Sequence, residues 1–551
     1  MWKHDAIRFF NKVGLGGPVS RLVINDYAGS TTPRPRPFSM WSAVSPALKS
    51  DPDYVSDYTT WPGLTDKKFS GRHLSPASAD YIARLPYDLE YDAKTGQMGD
   101  ITALFARQGA MKPSRSSALF AFFAQWFTDS LLRFDGRDRR RNTSNHDIDL
   151  CQIYGLCAAT TDALRTKVDG RLKSQLQNGE ELLPPLCEPD GAGAFRLRAE
   201  YRPQGPRCSD PNCTDPRFTD CRNWPLGYDD AVVDEFLALS RFPKDRKGKF
   251  YATGLERGNS SIGYVAISTI FMREHNRLAA GLKARNPGWN DERLFQTARN
   301  INIVILMKLV VEDYINHILG AKLFRLEAGH FEDKPWYRPN WITAEFDLLY
   351  RWHGLMPDTI RVGGADLPHM EYRNNNARLE QAGLAAVIDA ASRQAAGCIG
   401  LRNTPDFLWG AEYQAIKMGR DFRLRSFNEY RERFGLGRCK SFEELTDDAA
   451  LREELEKRYR NIDDVEYVVG IFAEKQEKNA LFGRLLTHMV AYDAFTQIFS
   501  NPLLAKEIHN AATFTKWGLE EIERTDTIQE LVDRNLKSGT TALASLTAPK
   551  A

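Results

Sequence analysis

No run of about 18 uninterrupted apolar residues, the length a membrane-spanning helix needs, occurs in this 551-residue chain. Its first residues also lack the continuous apolar stretch of a secretory leader, so a cytoplasmic protein is expected. The N-x-S/T sequons at Asn142, Asn212 and Asn259 then carry no meaning, because glycosylation requires export. Excess charge of one sign is missing too. With 74 Lys and Arg against 72 Asp and Glu and no long basic run, nothing in the electrostatics calls for nucleic acid as a partner. Cysteine is scarce, at eight residues, and no C-x2-C pair signals a zinc site. Cys208, Cys213 and Cys221 crowd one polar, proline-containing segment with Cys187 upstream. They read as reduced surface thiols, with a metal or disulfides as the alternatives. What remains is ordinary: 42% hydrophobic and 26% charged residues describe a globular protein with a packed core. The length allows two to four domains or one large helical core.

Residues 2 to 27 scatter Trp2, Ile7, Phe10, Val13, Val19 and Leu22 among Lys and Arg, the pattern of one or two short amphipathic helices. Such helices lie in a bilayer surface or pack on the domain, and both readings are open. Thr31-Thr-Pro-Arg-Pro-Arg-Pro37 breaks any helix, which separates an N-terminal segment, 1–37, from a domain over 38–551. Helical periodicity follows at 116–134, 258–285, 290–319, 341–354, 378–396 and 479–500, with few credible strands between. Ser426-x-x-Glu429 and Ser441-x-x-Glu444 read as capping boxes. The fold class is mainly α, and residues 185–225, rich in Cys and Pro, look like an insertion.

The most informative string is Glu345-Phe-Asp-Leu-Leu-Tyr-Arg-Trp-His-Gly-Leu-Met-Pro-Asp358. On a helix, Tyr350 and His353 share one face, so a metal on the imidazole leaves the phenol beside the cofactor plane. A buried histidine satisfied by the core has the same signature. The string resembles the proximal-helix motif of the cyclooxygenases, the prostaglandin synthase branch of the animal-type haem peroxidases. Phe271-Met-Arg-Glu-His-Asn-Arg-Leu-Ala279, Ser426-Phe-Asn-Glu-Tyr-Arg-Glu-Arg-Phe434 and Ser441-Phe-Glu-Glu-Leu-Thr446 resemble the same family, as do Asp57–Pro62 and His73–Pro76, in consistent order over roughly 57–500. The resemblance implies an animal haem-peroxidase or cyclooxygenase-like catalytic domain. It implies His353 as the haem iron ligand, Tyr350 as the radical that abstracts hydrogen from a fatty acid, and Tyr314 as its hydrogen-bond partner. Phe346, Leu349, Trp352, Ile315 and Phe482 resemble channel walls, and their reading as ordinary core stays open. An unsaturated fatty acid or related lipid and O2 are the implied substrates. A peripheral membrane contact and a homodimer are implied as well, although the growth-factor-like module that shares in the family's dimer interface has no counterpart in this sequence.

Departures from the family concern mechanism. In Phe120-Ala-Phe-Phe-Ala-Gln-Trp-Phe-Thr-Asp-Ser130 the family's distal glutamine is present as Gln125, but Asp129 stands where the distal histidine belongs. Either a buried carboxyl with raised pKa carries the proton, or the peroxidase half-reaction is impaired. Arg257 falls where other peroxidases of the superfamily keep a distal arginine; a plain salt bridge is its alternative. Thr128 and Ser260 stand where related enzymes esterify the cofactor, which predicts noncovalent haem b. Cys151 replaces an expected oxygen ligand, and sulfur is a poor ligand for a hard cation, so no calcium is expected. His275 and His146 are read as packing elements. Ala321 stands in place of the channel-mouth tyrosine, with Arg34, Arg36 and Lys322 as candidate carboxylate anchors. Val490 replaces a channel-end glycine, and the family's acetylatable serine corresponds to Ala494 or Thr496. The expectation is a haem-dependent fatty acid dioxygenase, with single oxygenation favoured. A peroxidase acting on small donors and a catalytically weak haem- or lipid-binding protein are the alternatives.

Overall fold

A computed structural model describes residues 16–29, 69–86, 92, 95, 97–135, 139–204, 224–239 and 241–550. Residues 2–15, the 31–37 boundary, the 57–62 string, Arg34, Arg36, Asn212 and Cys208, Cys213 and Cys221 lie outside them.

Helix α1 (Gly16–Ala28) precedes strand β1 (Pro113–Ser117), which leads straight into α2 (Ala118–Thr128). Ser117 caps α2 by accepting the Phe120 N–H at 3.2 Å. Every residue of α2 except Gln125 is buried, so it is a central helix apolar all round. It lies against α3 (Ile262–Arg285), where Trp126 stacks on Phe271 at 4.7 Å and donates its indole N–H to Ser268 at 2.9 Å. Helix α3 in turn packs along α4 (Asp291–Leu309). Helix α4 continues through a π-helical segment, Val310–Ile315, into a last turn, Asn316–Leu319. By length and composition Asp291–Leu319 could cross a membrane, but most of its apolar window is buried in the core.

Helix α5 (Ala344–Leu349) is capped by Thr343, and α6 (Asn376–Ala382) and α7 (Leu384–Arg393) follow. Beyond them lie α8 (Trp409–Asp421), α9 (Phe427–Arg433) and α10 (Arg484–Phe499). Strands are confined to two-stranded pairs among the described residues. One is a hairpin of β2 (Cys187–Pro189) and β3 (Phe195–Leu197), which gives the start of the 185–225 insertion a regular structure. Another joins β1 to β4 (Ala395–Gly397).

Several expectations are corrected. The single helix expected over 378–396 is split at Gly383, whose φ of +85° belongs to a region open chiefly to glycine. The helix expected over 341–354 stops at Leu349, because Trp352 turns back and donates its indole N–H to the Leu349 carbonyl at 2.6 Å. Tyr350 is therefore the C-cap, and His353 opens a separate 3₁₀ turn, His353–Leu355. The two residues are neighbours through a bend, not through one helical face. The Ser426/Glu429 capping box forms, but the Ser441 hydroxyl does not cap its helix, and Glu444 accepts the Lys440 N–H instead.

Of the two readings of the N-terminal segment, its described part packs on the domain. Ser20, Ile24 and Ala28, four apart, face α10, while Arg21 pairs with Glu327 at 2.7 Å and Trp336 donates to Asn25 at 3.0 Å. Leu22 alone is a large apolar side chain left exposed on it.

Candidate active site

Helix α5 is held in place by a buried carboxylate. Glu345 accepts the His73 N–H at 3.0 Å and the Tyr430 hydroxyl at 2.7 Å, which ties the helix to α9 and to the extended segment before it. Burial raises the pKa of this carboxyl. The fixed helix delivers Tyr350 and the His353 turn to the wall of a cavity of about 330 Å³. Gln125, Thr128 and Asp129 from α2, and Arg257 and Ser260 from the turn before α3, line the same cavity. The structure thus brings Tyr350, His353, Gln125, Asp129 and Arg257 together from segments far apart in sequence.

His353 Nδ1 lies 3.0 Å from Glu412 Oε1 of α8, and the same oxygen accepts the Thr404 hydroxyl at 2.6 Å. The ring stands turned out of line, so Nδ1 and Glu412 Oε2 are both buried without an aligned hydrogen-bond partner. His353 itself lines the cavity. The turn is pinned by Asn403, whose amide donates to the carbonyls of Gly354 at 3.3 Å and Cys398 at 2.9 Å. Residue 354 has to be glycine: a Cβ there would stand 2.6 Å from the Cys398 carbonyl oxygen, a backbone atom that cannot swing away. Gly354→Ala is expected to cost about 1–3 kcal/mol by overpacking. A thermal melt would read this as a lower Tm, and an unchanged Tm would show that the turn yields.

Tyr350 and Tyr314 are both buried, and the two phenols interact. The contact falls short of a full hydrogen bond, since Tyr314 Oη has no aligned partner. Burial raises both phenol pKa values; the carboxylate of Asp493 raises that of Tyr350 further and Tyr350 that of Tyr314. Tyr314 and Ile315 sit on the π segment of the long helix, a distortion common at functional sites because it re-aims side chains. Aromatic rings enclose the pair. Phe346 lies 4.9 Å and Trp352 4.5 Å from the Tyr350 ring, Phe482 packs on Trp352 at 4.7 Å, and Phe120 stacks on Tyr314 at 5.2 Å. Leu349 and Ile315 are buried beside these residues in sequence. Thr496 is buried on α10 with its hydroxyl bonded to the Asp493 carbonyl at 3.2 Å. Val490 and Ala494 are buried on the same helix.

Across the cavity, Gln125 donates to Ser260 at 3.3 Å. Asp129 is the C-cap of α2, with Arg257 Nη1 3.9 Å from Oδ1 and Oδ2 buried without a partner. Burial pushes its carboxyl up to about 6, against the opposing pull of Arg257 and Arg133. Thr128 spends its hydroxyl on the Ala124 carbonyl at 2.7 Å.

His275 bridges the Tyr154 hydroxyl and the Gly170 carbonyl, each at 2.8 Å, and His146 accepts the Ile342 N–H at 3.0 Å. Both are structural. In the loop considered for calcium, Asp149 already accepts from Asn145 at 2.6 Å and from the Cys151 backbone at 3.0 Å.

Sequence reasoning missed three residues. Glu412 and Asp493 carry no motif, since a single buried carboxylate in a mixed helix reads as surface charge. Arg373 is the third. Its guanidinium lies over the rings of Phe242 and Phe407, at 5.4 and 5.1 Å, lines the cavity, and has no carboxylate partner among the described residues. Burial lowers its pKa.

Residues 229–545 match the pattern of the animal haem peroxidase family. Prostaglandin G/H synthase 1 of Rattus norvegicus is 32% identical over 504 residues, covering 89% of this chain and 75% of that protein. Among solved structures, peroxidase A of Dictyostelium discoideum superposes with a TM-score of 0.65 at 17% identity, covering 88% of this chain and 95% of that one. A fatty acid alpha-dioxygenase of Oryza sativa superposes with a TM-score of 0.65 at 16% identity, covering 99% of this chain and 96% of that one, so the likeness to both is one of fold. The chain is a cyclooxygenase-like member of the animal haem peroxidase family.

Proposed function

We propose that this protein is a haem-dependent fatty acid dioxygenase in which a radical on Tyr350 abstracts hydrogen from the lipid chain. The observation that carries the reading is the Tyr350–Tyr314 pair, buried among aromatic rings, with Tyr350 on the wall of the cavity that His353 also lines. A bare haem-binding role calls for the histidine alone, whereas two interacting buried phenols suit radical chemistry.

The residues present fit the cofactor. His353 has one ring nitrogen beside a carboxylate and lines the cavity, which suits an iron ligand. Arg373, a largely buried cation with no carboxylate partner among the described residues, suits one of the carboxylates that haem carries. Haem b would be held noncovalently, because Thr128 and Ser260 have no carboxyl to form an ester. Each oxygen of Asp149 already accepts one hydrogen bond, and Cys151 offers only sulfur to a hard cation, which supports a loop without calcium. Arg373→Ala is expected to weaken haem binding severalfold without lowering the Tm of the apoprotein. Haem titration of both proteins checks this, and equal dissociation constants would remove Arg373 from the site.

Haem bound at His353 supplies the one-electron oxidant, formed at the expense of a peroxide. Tyr350 then loses its phenolic hydrogen, as a proton and an electron, and Tyr314 steadies the phenoxyl oxygen. The radical takes a hydrogen atom from an allylic or bisallylic carbon, O2 adds to the delocalised carbon radical that results, and the peroxyl radical takes a hydrogen atom back from Tyr350. The sum is RH + O2 → ROOH, and Tyr350 ends as a radical ready for the next turnover. The aromatic walls exclude water from the radical. Val490, larger than the glycine whose position it occupies, leaves less room for a folded chain and supports single oxygenation.

Oxygen uptake by haem-loaded protein given an unsaturated fatty acid and a trace of peroxide is the test. Uptake with a lipid hydroperoxide as product is expected. Uptake absent for every fatty acid tried, with haem bound, would overturn the reading.

A further inference from the structure

Glu412 is named by no sequence motif, and the proposed reaction has not used it. Its side chain is 1% exposed, yet among the described residues no lysine or arginine pairs with it. A buried carboxylate without a cation is costly unless something nearby donates to it. Two groups do. The Thr404 hydroxyl is bonded to Oε1 at 2.6 Å, and His353 Nδ1 lies 3.0 Å from the same oxygen. Thr404 is itself fixed, its N–H bonded to the Phe105 carbonyl at 2.9 Å and its carbonyl accepting from Arg107 at 2.8 Å. The oxygen facing the imidazole is thus placed by a chain of contacts from three segments of the fold.

We infer that Glu412 is the positioning residue of the iron ligand, taking the Nδ1–H of His353, fixing the tautomer that leaves the other nitrogen free, and increasing the electron donation of that nitrogen to the iron. This deepens the proposed function and rests on its assignment of His353. A carboxylate is a stronger acceptor than a neutral amide or carbonyl, so the imidazole it holds gains anionic character. With haem bound, a more donating His353 would favour formation of the oxidant that Tyr350 needs. The benefit falls where this chain needs it, because its distal side offers Asp129 where the family has an imidazole. The out-of-line ring is consistent with a contact that tightens when the other nitrogen is engaged, as apo sites commonly do.

The test uses the full chain loaded with haem, with Glu412→Gln as the isosteric neutral variant and Thr404→Val to loosen the carboxylate while keeping its charge. Three readouts apply: the haem dissociation constant, the iron–histidine stretching frequency of the ferrous protein, and the ferric/ferrous midpoint potential. Glu412→Gln is expected to weaken haem binding by about 10- to 100-fold, lower the stretching frequency and shift the potential upward. Thr404→Val should move all three the same way by less, and it decides the question if Glu412→Gln does not fold. A stretching frequency and potential unchanged in the variants that fold would overturn the inference. The outcomes separate cleanly from those of the dioxygenase test. Wild-type protein that binds haem but takes up no oxygen would sink the dioxygenase reading and leave the spectroscopic prediction intact. Unchanged spectra with oxygen uptake preserved would sink only the role of Glu412.

Discussion

Tyr350→Phe is expected to reduce fatty-acid-dependent oxygen uptake to the uncatalysed background while haem binding stays at the wild-type level. The substitution removes one oxygen and keeps the ring that packs between Phe346 and Trp352 at 4.9 and 4.5 Å, so the pocket retains its shape. Stability should change by about 1 kcal/mol or less, because the lost hydroxyl makes only a misaligned contact with Tyr314. Phenylalanine cannot form the phenoxyl radical, so a loss of activity without a loss of fold isolates the chemistry. Tyr314→Phe makes a graded companion. It deletes a donor that steadies the radical, and a contact worth about 1 kcal/mol corresponds to a fall of severalfold, not to abolition. Oxygen uptake that survived in Tyr350→Phe would mean that the hydrogen is abstracted elsewhere.

Asp129→Asn should lower peroxide-driven activation by about 10²-fold or more, the usual contribution of a positioned acid–base group. It should also erase a pH limb. The carboxyl is pushed up from 3.8 to about 6 because burial penalises its charged form more than Arg257 and Arg133 favour it. The base form therefore exists above pH 6, and activation in the wild type should rise as pH passes through that value. Stability runs the opposite way. A folded pKa above the unfolded one means that the fold favours the protonated acid. That contribution is full below the unfolded value of 3.8 and is lost as pH rises through about 6. The difference amounts to about 3 kcal/mol. Asparagine is neutral throughout, so the variant should match or exceed the wild-type Tm above pH 6 while activating poorly. An Asp129→Asn protein with an undiminished activation rate and the same pH profile would show that no proton passes through this carboxyl. Asp129→His gives the reciprocal result, since the longer imidazole restores the family's group and should speed activation.

Much of the fold was legible because the pattern there is local. Helix α2 announces itself as an unbroken apolar string with a serine at its head, and the core helices α3 and α4 carry the 3.6-residue repeat over many turns. Helix ends were less legible, since they depend on partners from elsewhere. The helix before Tyr350 stops because Trp352 folds back on Leu349, and the Ser441 box fails because Glu444 bonds to the Lys440 backbone instead. The N-terminal helix shows the same limit. Its amphipathic face fits a bilayer or a protein surface equally well, and only the tertiary structure shows residues 16–28 packed on α10.

The candidate site divides along the same line. By itself the string around His353, with the matching segments before and after it, determined the family, the iron ligand to expect, the tyrosine to expect beside it and the aspartate in the place of a histidine. Those properties reside in residue identity and order. The tertiary structure alone decided that Tyr350 and His353 meet through a bend, that Tyr314 reaches them from a π-helical segment, that Asp129 is buried deeply enough to titrate near 6, and that Glu412 stands 3.0 Å behind the imidazole. Such facts concern the distance and desolvation between segments tens to hundreds of residues apart. Electrostatic energy depends steeply on both, and neither is encoded in the spacing of residues along the chain.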